Sequence, residues 1–117
     1  MATKGGLQSY TVQEAQNAAL GQAGSIHVAG GDPVSALNGR VFVAIQFLED
    51  SAFEAAADGL VPEAGGEELW PSSDGASTEI STNGVAVDGE TFPKGVTIYG
   101  RWTGFHLASG KVIAYVG

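Results

Sequence analysis

The chain has 117 residues and a mass of 11.9 kDa, room for one hydrophobic core but not two. Leu, Ile, Val and Phe make up 28 residues, about a quarter, which excludes a disordered chain; 18 glycines with four prolines exclude a helical bundle. Thirteen acids against five bases give a net charge of −8, which repels phosphate backbones and argues against a nucleic-acid partner.

No membrane partner is expected either, because the longest apolar run, Val41 to Ile45, is far short of the ~20 residues a span requires. The opening MATKGGLQSY has no apolar stretch, so no secretory signal is expected. The absence of cysteine removes disulfides, thiol catalysis and thiolate zinc sites from consideration.

In chain order, Thr11-Val12-Gln13-Glu14 matches a capping box, and the residues to Leu20 are good helix formers that stop at Gly21. This predicts a short helix over 12–20 inside an N-terminal helical or extended arm, residues 1–24. At about two turns such a helix is marginal alone and must dock on something. From Ser25 the pattern is β. Ser25 to Ala29 reads as a strand, Asn38-Gly39 as a type I′ hairpin turn, and Arg40 to Glu49 as a long strand with apolar residues on both faces, the mark of a core strand.

Ala52 to Asp58 leans towards strand. Gly59 to Thr78 has the composition of turns, and is long for a loop in a compact domain. Short strands are expected at Thr78 to Ser81, Gly84 to Val87 and Glu90 to Phe92, with Asp88-Gly89 as a further hairpin turn. Gly95 to Ala108 and Lys111 to Val116 read as a strand and its return about Ser109-Gly110. Within the first of these the large residues change face across Gly100 and Gly104, which predicts a bulge or corner that lets one strand serve two sheets. The fold class is mainly β: a compact antiparallel β-sandwich or small, jelly-roll-like barrel formed by residues 25–117, behind the arm.

Chemistry is harder to find. His27 and His106 stand alone, without metal-ligand spacing, and read as half-buried strand residues. There is no G-x-S-x-G elbow, and Glu49-Asp50 and Glu67-Glu68 would point to opposite faces if extended. Asp58, Asp74 and Asp88 each precede glycine, as turn residues do, and no calcium loop motif or glycine-rich nucleotide motif occurs. The expectation is therefore a protein without catalysis, cofactor or metal.

The charges are unevenly spread. Eleven of the thirteen acids fall between Val41 and Pro93, where there is no Lys or Arg, so the stretches outside it carry a small positive charge. This suggests an acidic surface turned to water and ends that touch something else. Tyr99-Gly100-Arg101-Trp102 sets an Arg beside a Trp, residue types common at interface hot spots. Trp70 lies in a loop next to Pro71. With Tyr10 and Leu20 of the arm, Trp70, Arg101 and Trp102 form the expected partner-binding set, against the alternative that Trp102 is simply core.

The ending TFPKGVTIYGRWTGFHLASGKVIAYVG, Thr91 to Gly117, resembles small β-rich virion proteins of tailed bacteriophages, of the head decoration or cement type. The resemblance implies a structural protein folded in the host cytoplasm and carried on the outer surface of the virion. It would bind the major capsid protein as a homotrimer and stabilise the shell. A phage tail or fibre module and a carbohydrate- or calcium-dependent binding sandwich are the alternatives.

Overall fold

The structure, a computed structural model, describes residues 23–117. The expected helix over 12–20, with Tyr10 and Leu20, lies outside the described residues. Eight strands follow in order: β1 Ser25–Val28, β2 Val34–Ser35, β3 Phe42–Phe47, β4 Ala52–Phe53, β5 Leu60–Pro62, β6 Thr97–Phe105, β7 Leu107–Ser109 and β8 Val112–Val116. There is no helix among the described residues. All pairings are antiparallel, and the mainly β class expected from the sequence is what the chain adopts.

The large sheet runs β1-β8-β3-β6, and β2 and β5 pair the C-terminal half of β6; β4 and β7 form a second, two-stranded sheet. β3 is the hinge of this arrangement. Its Ile45 pairs Ile98 of β6 on one side and Ala114 of β8 on the other, so it is flanked throughout, as its two-sided apolar sequence requires. Trp102 of β6 pairs both Phe42 and Pro62, and Phe105 pairs both Val34 and Leu60. β2 and β3 therefore follow one another along a single edge of β6, and β5 takes the opposite edge.

Two expected hairpins are corrected by this order. Asn38 and Gly39 do take left-handed backbone (φ 59° and 73°), and Arg40 N–H closes the turn on Leu37 O at 3.1 Å. The strands they join, β2 and β3, nevertheless pair with β6 and not with each other. Likewise β8 does not return along β6. Both edges of β6 are taken at Trp102, by β3 and β5, and β8 lies on the far side of β3.

The turn between β7 and β8 sits on the β3–β4 connection. Gly110 (φ 97°) is so close to it that a Cβ would lie 2.6 Å from Ser51 Cα. The expected bulge in β6 is present: Phe42 and Ala44 of β3 face Trp102 and Tyr99, an extra residue on the β6 side. The chain then leaves the large sheet at His106 and continues as β7 in the small one, so one run of chain does serve two sheets.

The expected short strands between Thr78 and Phe92 do not form. Residues 63–96 contain no strand; Phe92 alone makes an isolated bridge, to Ser51. β-Propensity needs a partner edge, and this segment finds none. The lean towards strand over Ala52 to Asp58 holds only at Ala52–Phe53, after which the chain turns.

The long connection is instead tied down at points along its length. Ser73, wholly buried, accepts a hydrogen bond at Oγ from Leu60 N–H (3.0 Å) and donates from Oγ to Ala56 O (2.7 Å). Val87 N–H reaches Ser72 O at 2.9 Å, and Ser51 and Phe92 exchange two backbone bonds at 2.9 and 2.7 Å.

The core lies between the large sheet, the small sheet and this connection. All five phenylalanines join in it. Phe42 meets Phe105 edge-on at 5.3 Å, Phe53 meets both Phe105 and Phe47, and Phe92 stacks on Phe47 at 4.9 Å. Trp102, Ile45, Leu60, Leu107 and Val112 complete it, all wholly buried.

The close approach at Gly110 gives a direct test. Gly110→Ala adds a methyl group against Ser51 backbone in a left-handed conformation and is expected to cost more than about 2 kcal/mol. Gly39→Ala, at φ 73° with open space around it, should cost only about 1 kcal/mol. Urea unfolding of the two variants side by side checks the ranking.

Candidate functional site

In an antiparallel sheet, residues directly opposite share a face and alternate residues change face. The register therefore sets Ser25, Tyr115, Ala44 and Tyr99 in one row across β1, β8, β3 and β6, and His27, Ile113, Gln46 and Thr97 in the next row on that face. The intervening rows, Ala114-Ile45-Ile98 and Val28-Val112-Phe47, turn to the core, while Ile26, beside Ala114 on the edge strand, remains exposed. Tyr99 is 65% exposed, Ser25 and His27 are exposed, and Tyr115, Ile113, Gln46 and Thr97 are half-buried. Ala44 at the centre is covered, and Tyr115 Oη donates to Gln46 Oε1 at 3.4 Å.

None of these eight residues is acidic. In a chain of net charge −8 that is the distinguishing property of the face. It carries two tyrosines, hydroxyl and amide groups, one isoleucine and one histidine, a composition suited to a contact that must be stripped of water without stranding a charge.

The acids lie elsewhere. Glu67, Glu68 and Asp74 line a cleft of about 430 Å³ with Val61, Pro62 and Thr78, and Thr78 Oγ1 donates to Glu68 Oε1. Among the described residues no three His, Cys, Asp or Glu side chains converge closely enough to hold a metal ion.

The expected contact residues are dispersed. Trp102 has no exposed surface, so its assignment to a partner contact is corrected: it is core. Its ring lies on Gly100, where a Cβ would sit 2.7 Å from the indole, and its Nε1–H donates to Pro71 O at 2.8 Å. The small footprint of glycine is what lets so large a side chain turn inward in so small a domain.

Trp70 is half-buried against the core with its Nε1 covered and unpartnered. Arg101 is exposed, next in sequence to Trp102 on β6, and its Nε–H donates to Glu63 Oε1 at 2.7 Å. That hydrogen bond, then the charge of Glu63, raise the guanidinium pKa further. Of the histidines, His27 is exposed in β1, not half-buried as expected, and His106 is half-buried at the break between β6 and β7.

Tyr115, Ile113, Gln46 and Thr97 are not singled out by the sequence, and Tyr99 and His27 enter it only as a neighbour of the Arg-Trp pair and as a strand residue. The signal available was alternation in Thr97-Tyr99-Arg101 and Ile113-Tyr115. It could not be used without knowing that β8 lies beside β3. No protein-family model, curated protein or solved structure matches the chain.

The two neighbours on β6 should separate cleanly on substitution. Trp102→Ala is expected to cost about 3–5 kcal/mol through the cavity it leaves, and Trp102→Phe about 1–2 kcal/mol, since Pro71 O loses its donor. Arg101→Ala should leave the unfolding midpoint unchanged within error, because an exposed ion pair contributes little. Thermal melts followed by tryptophan fluorescence and circular dichroism check all three.

Proposed function

We propose that this chain is a non-enzymatic structural protein that attaches to a larger assembly through the two acid-free central rows on the outer face of its large sheet and presents its acidic connections to water. In the setting that the resemblance of residues 91–117 implies, the assembly is a phage capsid, the partner is its major capsid protein, and the attached species is a homotrimer on the shell's outer surface.

One observation carries this reading: the separation of charge across the fold. Eleven acids fall between Val41 and Pro93; none is in the two central rows of the Tyr99–Tyr115 face, and Glu63, beside them, is paired with Arg101. Burying several like charges against a partner costs several kcal/mol unless each is paired. A face of tyrosine, glutamine, threonine and isoleucine carries no such cost, and tyrosine supplies contact area with little conformational entropy to lose. Facing solvent, the acids are screened within about 8 Å at physiological salt and oppose aggregation. The small core and the lack of disulfides favour further stabilisation by self-association.

Binding to purified capsids lacking the protein tests the orientation. Tyr99→Glu and His27→Glu, at opposite sides of the face and both exposed, should each weaken attachment about 100-fold or more, since a carboxylate would be buried unpaired. The double change Glu67→Gln with Glu68→Gln should leave attachment nearly unchanged while lowering solubility. The reverse pattern would place the contact on the acidic side. Light scattering that finds a monomer at micromolar concentration, with and without capsid, would remove the trimer from the proposal.

A further inference from the structure

His106 stands where the chain passes from the large sheet to the small one. Its backbone is fixed: the N–H donates to Gly59 O and the carbonyl accepts from Glu54 N–H, both at 2.9 Å. Its imidazole is 20% exposed and reaches two further segments. Nε2 lies 3.1 Å from Gly31 O, in the turn between β1 and β2, and Nδ1 lies 3.3 Å from Asp58 Oδ2, in the turn between β4 and β5.

Both partners are acceptors only, a peptide carbonyl and a carboxylate. A neutral imidazole has a single N–H. It can satisfy one of these oxygens, while its other nitrogen sets a lone pair against the second. The imidazolium has two N–H groups and satisfies both.

We infer that His106 is a proton-operated clamp, which on protonation ties the Gly31 turn and the Asp58 turn to the corner between the two sheets and on deprotonation releases one of them. This goes beyond the proposed attachment and does not rest on it.

The surroundings favour the charged form. Desolvation pushes the His106 pKa down, but the Gly31 carbonyl, the hydrogen bond and charge of Asp58 and the charge of Glu54 outweigh it, so the pKa is raised above 6.5. The only other charged group in the two turns that meet the ring is Asp32, which follows Gly31 and is also acidic. A group whose folded pKa is raised stabilises the fold fully below its unfolded value and loses that contribution as pH rises through the folded value. The clamp is therefore closed at mildly acidic pH and open at alkaline pH, within the range where histidine acts as a switch.

The test uses the full chain. Nitrogen chemical shifts of the His106 ring should report imidazolium at about pH 5.5 and a neutral ring at about pH 8. Over the same interval, amide exchange around Gly31 and Asp58, corrected for its intrinsic pH dependence, should speed up several-fold as pH rises. In His106→Gln that change should vanish. In Asp58→Asn, which keeps the backbone and removes the carboxylate, the midpoint should move to lower pH. A neutral His106 at pH 5.5, or the same pH-dependent exchange in His106→Gln as in the parent chain, would overturn the clamp.

Discussion

Five phenylalanines hold this fold together, and they tie its weakly paired parts to its central strands. Phe42 and Phe47 belong to the central strand, Phe105 to its neighbour, Phe53 to the small second sheet and Phe92 to the long irregular connection. A two-residue strand such as β4 has almost no ladder of its own. It is Phe53, touching Phe47, Phe92 and Phe105 at ring separations of 5.5–6.2 Å, that seats it. Edge-on and stacked pairs of this kind are worth about 0.5–1.5 kcal/mol each beyond the area they bury. Truncating any of the four buried rings, Phe42, Phe47, Phe53 or Phe105, opens a cavity costing about 3–5 kcal/mol, a large part of the stability of a domain this size.

Because the core is supplied by one side of the large sheet together with the small sheet and the connection, the other side of that sheet is left for other uses. Its two central rows carry no acid, while the connection that closes the core carries most of them. The same segment thus does two things. Through Ser73, Phe92 and the Pro71 carbonyl it caps the core, and through Glu67, Glu68 and Asp74 it gives that end of the molecule its charge. Charge segregation follows from topology, since the connection packs on the core side of the sheet through Trp70, Val87 and Phe92, and its first residue, Glu63, is paired with the outward Arg101.

The corner at His106 is where these parts meet. The backbone there bonds to Gly59 and Glu54, and the ring to Gly31 and Asp58. Gly59 is held so close to Glu54 that a Cβ there would run into its carbonyl oxygen. A tight turn, a histidine and a carboxylate are packed into a space where only glycine allows the backbones to approach. A proton on the ring then decides whether one turn or both are tied to the corner.

How much of this was legible in the residues can be judged at particular positions. Local chemistry determined local shape: Asn38-Gly39 is left-handed because few other pairs adopt that turn. Arg40 to Glu49 gave a core strand because it is apolar on both faces. Gly100 and Gly104 bracket an irregular strand because large residues change face across them.

What the sequence could not determine was which edge pairs with which. β8 follows β6 with only β7 and a short turn between them, yet lies beyond β3, and that choice depends on edges of β6 already filled by Phe42 and Pro62, far away in sequence. The candidate face depended on the same choice. Tyr99 and Tyr115 are unremarkable alternating strand residues until β3 is placed between them, with Ala44 beneath both. Trp102 shows the converse. An Arg-Trp pair has the composition of a contact, and only the close approach of Gly100 and the Pro71 carbonyl turned the indole inward. Propensity and turn chemistry act within a few residues, whereas sheet order and burial are settled by the whole core at once.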